Sequence, residues 1–337
     1  MKSPELLFTQ NIRETFNSYC AEHSIGKMLI LCDINTQQYC LPLLGELNIR
    51  HIVIPSGEAE KNLETAAFIM NALIDAGADR QTVLVNLGGG VVSDIGGFAA
   101  SVFLRGIRFI NIPTTLLAMA DAAIGGKTGV DHQNLKNYIG TFSQPEAIMI
   151  SDAFLDTLDA EEKDSAWAEI IKTALIADAG LYRLITDQAP LQQIIAACVK
   201  TKQGITDRDF KDENLRQLLN FGHTIGHAYE SICLQRGKPV RHGYAVAAGM
   251  FEETAFAMFK GVLPQSDGST ILNMLSDKFG KWQISPQDFD LLYPYLVSDK
   301  KNADGFIAFS LPDGIGSGKF GIRASVAELK AWKNSNI

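Results

Sequence analysis

No run of this chain approaches the roughly 20 consecutive apolar residues that a membrane span needs. The opening MKSPELLFTQN has no long apolar core of the secretory type. Membrane and exported classes are therefore not expected. Cysteine is sparse: Cys20, Cys32, Cys40, Cys198 and Cys233 make an odd set with no C-x-x-C pair. They read as reduced, partly buried thiols of a cytoplasmic protein. Positive charge is in deficit, with 30 Lys and Arg against 38 Asp and Glu and a net charge of -8. That argues against a nucleic-acid partner, which wants a basic surface, and any anionic ligand must meet a local cluster of cations. What is present is ordinary globular material: 337 residues, 46% hydrophobic and 20% charged, enough for two domains with normal cores.

Histidine is scarce too, at six residues, yet half of them fall between Leu219 and Met250. In LNFGHTIGHAYE, His223 and His227 stand at i, i+4, which puts both imidazoles on one helix face. His242 follows in Arg241-His242-Gly243, just before a helix-like run from Ala245 to Phe259. Two helices side by side would bring His242 close to His223. That makes a two-histidine metal site wanting a carboxylate and keeping one position open. An i, i+4 histidine pair alone more often shares a polar face. Here Gly222 and Gly226 precede the pair and Gly243 follows the third histidine. Glycine inside a helix costs roughly 1 kcal/mol relative to alanine, so its repeated use predicts that something comes close to this helix.

Elsewhere the chain alternates. KMLILCD is a strand ending at Asp33, and IRHIVIP is another. Ser56 is a cap candidate for a helix that takes in Lys61 and runs periodically from Leu63 to Ala76. Thr82–Leu87 reads as a buried strand running into Gly88-Gly89-Gly90, a phosphate-cradle arrangement that opens a helix. It is not the G-x-G-x-x-G fingerprint. Asp94 is placed in the first turn of that helix, stabilised by the dipole or aimed at a ribose or nicotinamide. Phe109–Ile112 is a strand, Pro113 ends it, and Thr114-Thr115 begin a helix or turn. A glycine-rich stretch follows with Asp121, Lys127, Lys136 and Asn137, lacking Walker A spacing. From Asp159 to Tyr182 the period is helical, and Glu169 and Lys172 share a face; Glu169 is the candidate third metal ligand. Helical character continues to about Asp299, with no strand before Phe306–Phe309. The expected architecture is an α/β Rossmann-like N-terminal domain with a parallel sheet, residues 1–158, and a mostly α-helical C-terminal domain, residues 159–337. Ligand sites favour such domain junctions.

Together the motifs GGGVVSDIGGF, LRGIRFINIPTTLLAMADAAIGGKTGVD, LKNYIGTF, AEIIK, LNFGHTIGHA, HGYAVAAGM and SDKK resemble the 3-dehydroquinate synthases of the sugar-phosphate cyclase group, from Asp33 to about Gly316. The resemblance implies a phosphate-eliminating lyase of the shikimate pathway to aromatic amino acids. Such an enzyme turns the seven-carbon keto-acid phosphate DAHP into 3-dehydroquinate, using NAD and a divalent metal, zinc in the first place with cobalt as an alternative. Glu169, His223 and His242 become the metal ligands, and His227 a substrate-phosphate contact. NAD is expected at Asp33, Asn35, Glu58, Lys61, Gly89, Gly90, Asp94, Thr114, Thr115, Asp121, Lys127, Lys136, Thr157 and Leu158. Substrate is expected at Asp121, Lys127, Lys136, Asn137, Lys172, Lys202, Arg216, Asn220, His227 and one lysine of Lys300-Lys301, with Lys300 preferred. Arg105 is similar to an arginine that reaches the phosphate of a neighbouring subunit's substrate, which implies a homodimer. Departures are Asp212 for glutamate, Asn214 for glycine and Tyr244 for glutamate; asparagine's tolerance of left-handed backbone would preserve the turn at Asn214. Rival readings are a metal- and NAD-dependent polyol dehydrogenase and a cyclase for a substrate without a carboxylate. Lys127, Lys136, Asn137 and Arg216 weigh against the first, and Lys202, Arg216 and Asn220 against the second.

Overall fold

The computed structural model describes residues 2–45, 48–133, 135–282, 284–298 and 306–335. The chain divides into two compact units, Met1–Lys163 and Asp164–Ile337. In the first, strands and helices alternate: β1 (Glu5–Phe8), α1 (Ile12–Glu22), β2 (Met28–Asp33), α2 (Ile34–Tyr39), β3 (His51–Ile54), α3 (Leu63–Asp75), β4 (Val83–Gly88), α4 (Gly90–Val102), β5 (Arg108–Pro113), β6 (Lys127–His132), β7 (Leu135–Phe142) and β8 (Ala147–Ile150). Six of the strands form one sheet in the order β1-β8-β5-β4-β2-β3, and every pairing in it is parallel. The cause is legible in β4, whose VLVNLG is buried at every position, as a strand covered on both faces must be. From β2 the chain goes to β3 on one side and to β4 on the other. Such a reversal opens a crevice at the carboxyl ends of the strands. Asp33 and Gly88-Gly89-Gly90 sit at those ends.

Local readings need three corrections here. Ser56 is not the cap of α3; after Gly57 (φ 111) a short 3-10 turn covers Glu58–Glu60, and Asn62 accepts from the Thr65 N–H at 2.9 Å. Asp94 lies beyond the first turn of α4, which starts at Gly90 and has no acid there. The glycine-rich stretch, to which the sequence assigned no strand, is the antiparallel hairpin β6–β7.

The second unit is built from α5 (Ala160–Ala177), α6 (Ala179–Thr186), α7 (Leu191–Arg208), α8 (His223–Gln235), α9 (His242–Phe259), α10 (Gln265–Phe279), α11 (Pro286–Ser298), the antiparallel pair β9 (Phe306–Gly314) and β10 (Ser317–Ser325), and α12 (Val326–Lys333). The predicted single helix over Asp159–Tyr182 is two. Its break is Asp178, whose carboxylate accepts from the N–H groups of Gly180 and Leu181 at 2.8 and 3.0 Å and so starts α6. Helix α9 is enclosed, with Ala245, Val246, Ala247, Ala248, Met250, Phe256 and Ala257 all buried. Phe256 packs its ring 5.1 Å from Trp332 and 5.3 Å from Phe309. Truncating a buried phenylalanine of this kind to alanine costs about 3–5 kcal/mol.

Candidate functional site

Helices α8 and α9 touch along glycines. A Cβ on Gly226 would stand 2.8 Å from the Ala245 carbonyl oxygen, and one on Gly249 would stand 2.7 Å from the Gly226 nitrogen. Gly222, at φ 78, would place its Cβ 2.8 Å from the Val246 oxygen. The sequence reading expected something to come close to this helix at Gly222 and Gly226; what comes close is the neighbouring helix backbone. This contact sets the first residues of the two helices side by side, with the rings of His223 and His242 at 5.5 Å between centroids and His227 at 5.1 and 5.7 Å from them. One ring nitrogen from each of the three lies within 4.8 Å of the others. His227 is the exposed member.

Glu169 of α5 reaches the same point. It is 1% exposed, and its Oε1 has no hydrogen-bond partner although it stands 3.3 Å from His223 Nε2 and 3.5 Å from His242 Nε2. The other oxygen accepts from Lys172 Nζ. Ionic hydrogen bonds are shorter, about 2.7–2.9 Å. Two ligands at about 2.0–2.1 Å from a tetrahedral zinc lie about 3.3–3.4 Å apart. The 3.3 and 3.5 Å spacings are compatible with that arrangement. Each imidazole is oriented from behind: His223 Nδ1 donates to the Phe221 carbonyl at 3.1 Å, and His242 Nδ1 faces Glu230 Oε2 at 3.3 Å. Both leave Nε2 for the shared point, the pattern of metal-binding histidines. The charges respond. Burial pushes the Glu169 carboxyl up, but Lys172 and the two histidines outweigh it and hold it well below the usual range. Burial dominates at His223, whose pKa falls. At His242 burial is outweighed by Glu169 and Glu230, and the ring is pushed up to about 9.

Lys172, Lys202 and Arg216 are buried cations of this unit, on α5, α7 and the 3-10 turn Leu215–Asn220. Cations are rarely so buried unless something holds them. For Arg216 the support is visible: Nη1 donates to the Phe210 carbonyl at 2.8 Å, and its own N–H donates to Asp209 Oδ2 at 2.9 Å. Asp209 also accepts from the N–H groups of Glu213 and Asn214 at 3.0 and 2.7 Å. The left-handed residue of this loop is Asp212 (φ 61). Asn214 has φ -143, so its departure from glycine needs no left-handed tolerance, contrary to expectation. Asn220, half-buried, donates to the Gln217 carbonyl at 3.0 Å. Lys300 and Lys301 lie outside the described residues.

In the first unit, Asp33 ends β2 with its carboxylate accepting from the N–H groups of Asn35 and Thr36 at 2.9 and 2.8 Å. Gly89 caps α4, and a Cβ there would meet Thr115 Cγ2 at 3.0 Å. Lys61, 4% exposed, pairs with Asp94 at 2.6 Å. Burial would lower its pKa, yet Asp94 and Glu58 raise it overall. The Lys61 carbonyl accepts from Asp131 N–H at 2.7 Å, and Asp131 Oδ1 accepts from Asn137 N–H at 2.7 Å. Lys136 Nζ stands 3.8 Å from Glu58. Thus Asp94, Lys61, Asp131 and Asn137 are one connected set, with Glu58 and Lys136 beside it. Thr114 is buried, Lys127 is exposed at the start of β6, and Asp121 rides on the π-turn Ala118–Ala122, a backbone irregularity common at functional sites. Thr157 and Leu158 close the 3-10 turn Asp152–Thr157. Arg105 is exposed after α4, where Leu104 and Arg105 both have positive φ, 51 and 65.

Sequence reasoning passed over Asp131, Asp209, Glu230 and Glu253. Their partners are mostly backbone N–H groups, which leave no spacing signal. Only Glu252-Glu253 could have been suspected, as a charged doublet inside the otherwise apolar run Ala245–Phe259.

Residues 51–165 match the model of the 3-dehydroquinate synthase N-terminal region and residues 166–302 that of the C-terminal region. A 3-dehydroquinate synthase of Parabacteroides distasonis is 36% identical over 94% of this chain and 93% of its own length. Another, of Pelobacter propionicus, is 41% identical over 93% and 91%. Among solved structures, the 2-epi-5-epi-valiolone synthase ValA from Streptomyces hygroscopicus, with NAD+ and Zn2+ bound, superposes with a TM-score of 0.85 at 27% identity, covering 98% of this chain and 96% of that one.

Proposed function

We propose, for a chain that belongs to the 3-dehydroquinate synthase family, that Glu169, His223 and His242 hold the divalent metal on which its reaction depends. The reaction is the conversion of DAHP to 3-dehydroquinate and phosphate, with NAD and a divalent metal as cofactors. The two matched regions set aside the polyol dehydrogenase and the cyclase for a carboxylate-free substrate. The observation that carries the metal assignment is the buried, hydrogen-bond-free Glu169 Oε1 at 3.3 and 3.5 Å from two Nε2 atoms. Zinc and cobalt both suit that donor set.

Glu169, His223 and His242 would hold a metal that supplies Lewis acidity to the substrate's hydroxyls, and the first unit's residues would hold NAD, which would supply a reversible hydride acceptor. The chain's own residues bind and orient. Lys172, Lys202 and Arg216, with Asn220 and His227, hold the carboxylate and phosphate of the substrate; the first three are buried cations already in place, which lowers the reorganisation needed when it arrives. Asp121, Lys127, Lys136 and Asn137 of the first unit are further substrate residues in this reading, as is Lys300. Asp33, Asn35, Glu58, Lys61, Gly89, Gly90, Asp94, Thr114, Thr115, Thr157 and Leu158 form the NAD site, and Asp121, Lys127 and Lys136 contribute to it. The proton lost next to the new ketone goes to the substrate's own departing phosphate, so these side chains position rather than transfer.

The enzyme works as a homodimer in the cytoplasm. Two consecutive non-glycine residues in the left-handed region, each costing about 1 kcal/mol or more, support the dimer. Val102, Leu104, Tyr138 and Phe142 of the same unit are all at least 40% exposed. Arg105 would then serve the neighbouring subunit's substrate. The test of the activity is phosphate release from DAHP by the purified protein before and after chelation. Release that needs both NAD and metal, without net NADH, is expected. No release, with NADH accumulating from simple polyols, would overturn the reading.

A further inference from the structure

We infer that Glu253 is a positioning residue for the metal centre: it holds the peptide that fixes the tautomer and direction of His223. The inference rests on the metal assignment above. Glu253 lies about three turns along α9 from His242 and is 0% exposed. Its Oε2 accepts from Gly222 N–H at 2.7 Å and its Oε1 from Ile225 N–H at 2.9 Å. These donors belong to the N-cap and the third residue of α8, the pair that a capping box satisfies from within one helix. Helix α8 cannot supply its own cap. Gly222 has φ 78, and a Cβ on it would stand 2.8 Å from the Val246 oxygen, so no serine or aspartate fits; Ile225 carries no acceptor. The carboxylate comes instead from the helix that begins with the other histidine ligand.

The consequence reaches the metal through one peptide plane. The Gly222 N–H that Glu253 grips and the Phe221 carbonyl belong to the same planar trans unit and point in opposite directions. That carbonyl accepts from His223 Nδ1 at 3.1 Å. A carbonyl can only accept, so Nδ1 carries the proton and Nε2 presents its lone pair to the point shared with Glu169. Glu253, the 221–222 peptide and His223 thus form a carboxylate–peptide–histidine relay. It is the counterpart of the direct Glu230–His242 contact at 3.3 Å.

The test is titration of the metal-free protein with Co2+, read by visible absorption. Glu253→Gln keeps the shape but sets an NH2 group against a backbone N–H. It should raise the Co2+ dissociation constant about 10–100-fold, the effect of losing an outer partner of a metal-bound histidine, and shift the absorption bands at saturation. Parent affinity and parent bands would overturn the inference even if the variant melts earlier, since a purely structural role moves only the melting temperature. Should Glu253→Gln fail to fold, Glu253→Asp, one methylene shorter, should bind Co2+ with intermediate affinity and altered bands; parent-like behaviour there overturns it equally. His242→Ala, run alongside, separates the two levels. If it keeps the parent's Co2+ signal, the metal assignment itself falls, and this inference with it.

Discussion

Gly249→Ala tests whether the α8–α9 contact builds the metal centre. The added methyl would stand 2.7 Å from the Gly226 nitrogen and closer still to the Gly222 oxygen, whereas ordinary contact begins at 3.4 Å. Both obstacles are backbone, so no side chain can swing away. Helix α8 has to retreat by roughly 1.5 Å to clear the Gly222 oxygen, and metal–ligand distances tolerate about 0.2 Å. His223 follows Gly222 directly and moves with it. The cost in stability is modest: overpacking costs about 1–3 kcal/mol, and alanine's helix preference over glycine returns about 1 kcal/mol of it. The melting temperature should fall by at most about 8 °C. Co2+ affinity, by contrast, should fall about 100-fold or more, as expected when a ligating or reacting group is misplaced by close to 1 Å. Gly204→Ala is the control. It sits inside α7 with nothing within 4 Å of its Cβ position, so it should stabilise by about 0.4–1 kcal/mol and leave Co2+ binding alone. Calorimetry and Co2+ titration on both variants decide the matter. Parent-like Co2+ affinity in Gly249→Ala would refute the claim that this helix contact sets the ligand spacing.

Three further perturbations probe other parts. Asp94→Ala leaves the Lys61 ammonium buried without its 2.6 Å partner; denaturant unfolding should show a loss of about 3–5 kcal/mol and fluorescence titration a tenfold or greater loss of NAD affinity, and parent values for both would be fatal to the assignment. Arg105→Ala should raise KM for the phosphate-bearing substrate about 10–100-fold, the worth of a charge-assisted contact, with NAD and Co2+ binding intact; an unchanged KM and turnover would remove the phosphate role. At Asp209, burial pushes the carboxyl up, but the N–H groups of Arg216, Asn214 and Glu213 and the Arg216 charge bring it below its ordinary value of 3.8. The folded pKa being depressed, the stabilisation is complete above that value and lost as pH falls through the folded one. The protection of the three amides against hydrogen exchange, relative to their intrinsic rates, should therefore hold from neutral pH down to about pH 4 and fall below it, a step that Asp209→Asn should lack; persistence of the step in that variant would refute its origin in Asp209.

The parallel sheet was readable because β2 and β4 are long apolar runs ending in special residues, Asp33 and the glycine triplet. The four-residue strands β1 and β8 were not, since ELLF and AIMI acquire strand character only from the neighbours they pair with. The hairpin β6–β7 was missed for a related reason: KTGVDH and LKNYIGTF carry charge and glycine where alternation would be sought. At the candidate metal centre, spacing and the run of glycines pointed to His223 and His242, and the side-by-side helices expected there are present. A helical glycine announces that something approaches the backbone; it does not say whether that is a ligand or another helix. Here the approach is by α9, and the histidines converge because the first residues of two helices in backbone contact cannot be far apart. Glu253 shows the complementary blind spot. A carboxylate whose partners are peptide N–H groups has no spacing rule to betray it, only the incongruity of a charge inside the enclosed helix α9. An acid at such a position is too costly to bury without partners, so the doublet Glu252-Glu253 already implied fixed donors nearby. Only the fold could say that those donors were the N–H groups of Gly222 and Ile225, beside His223.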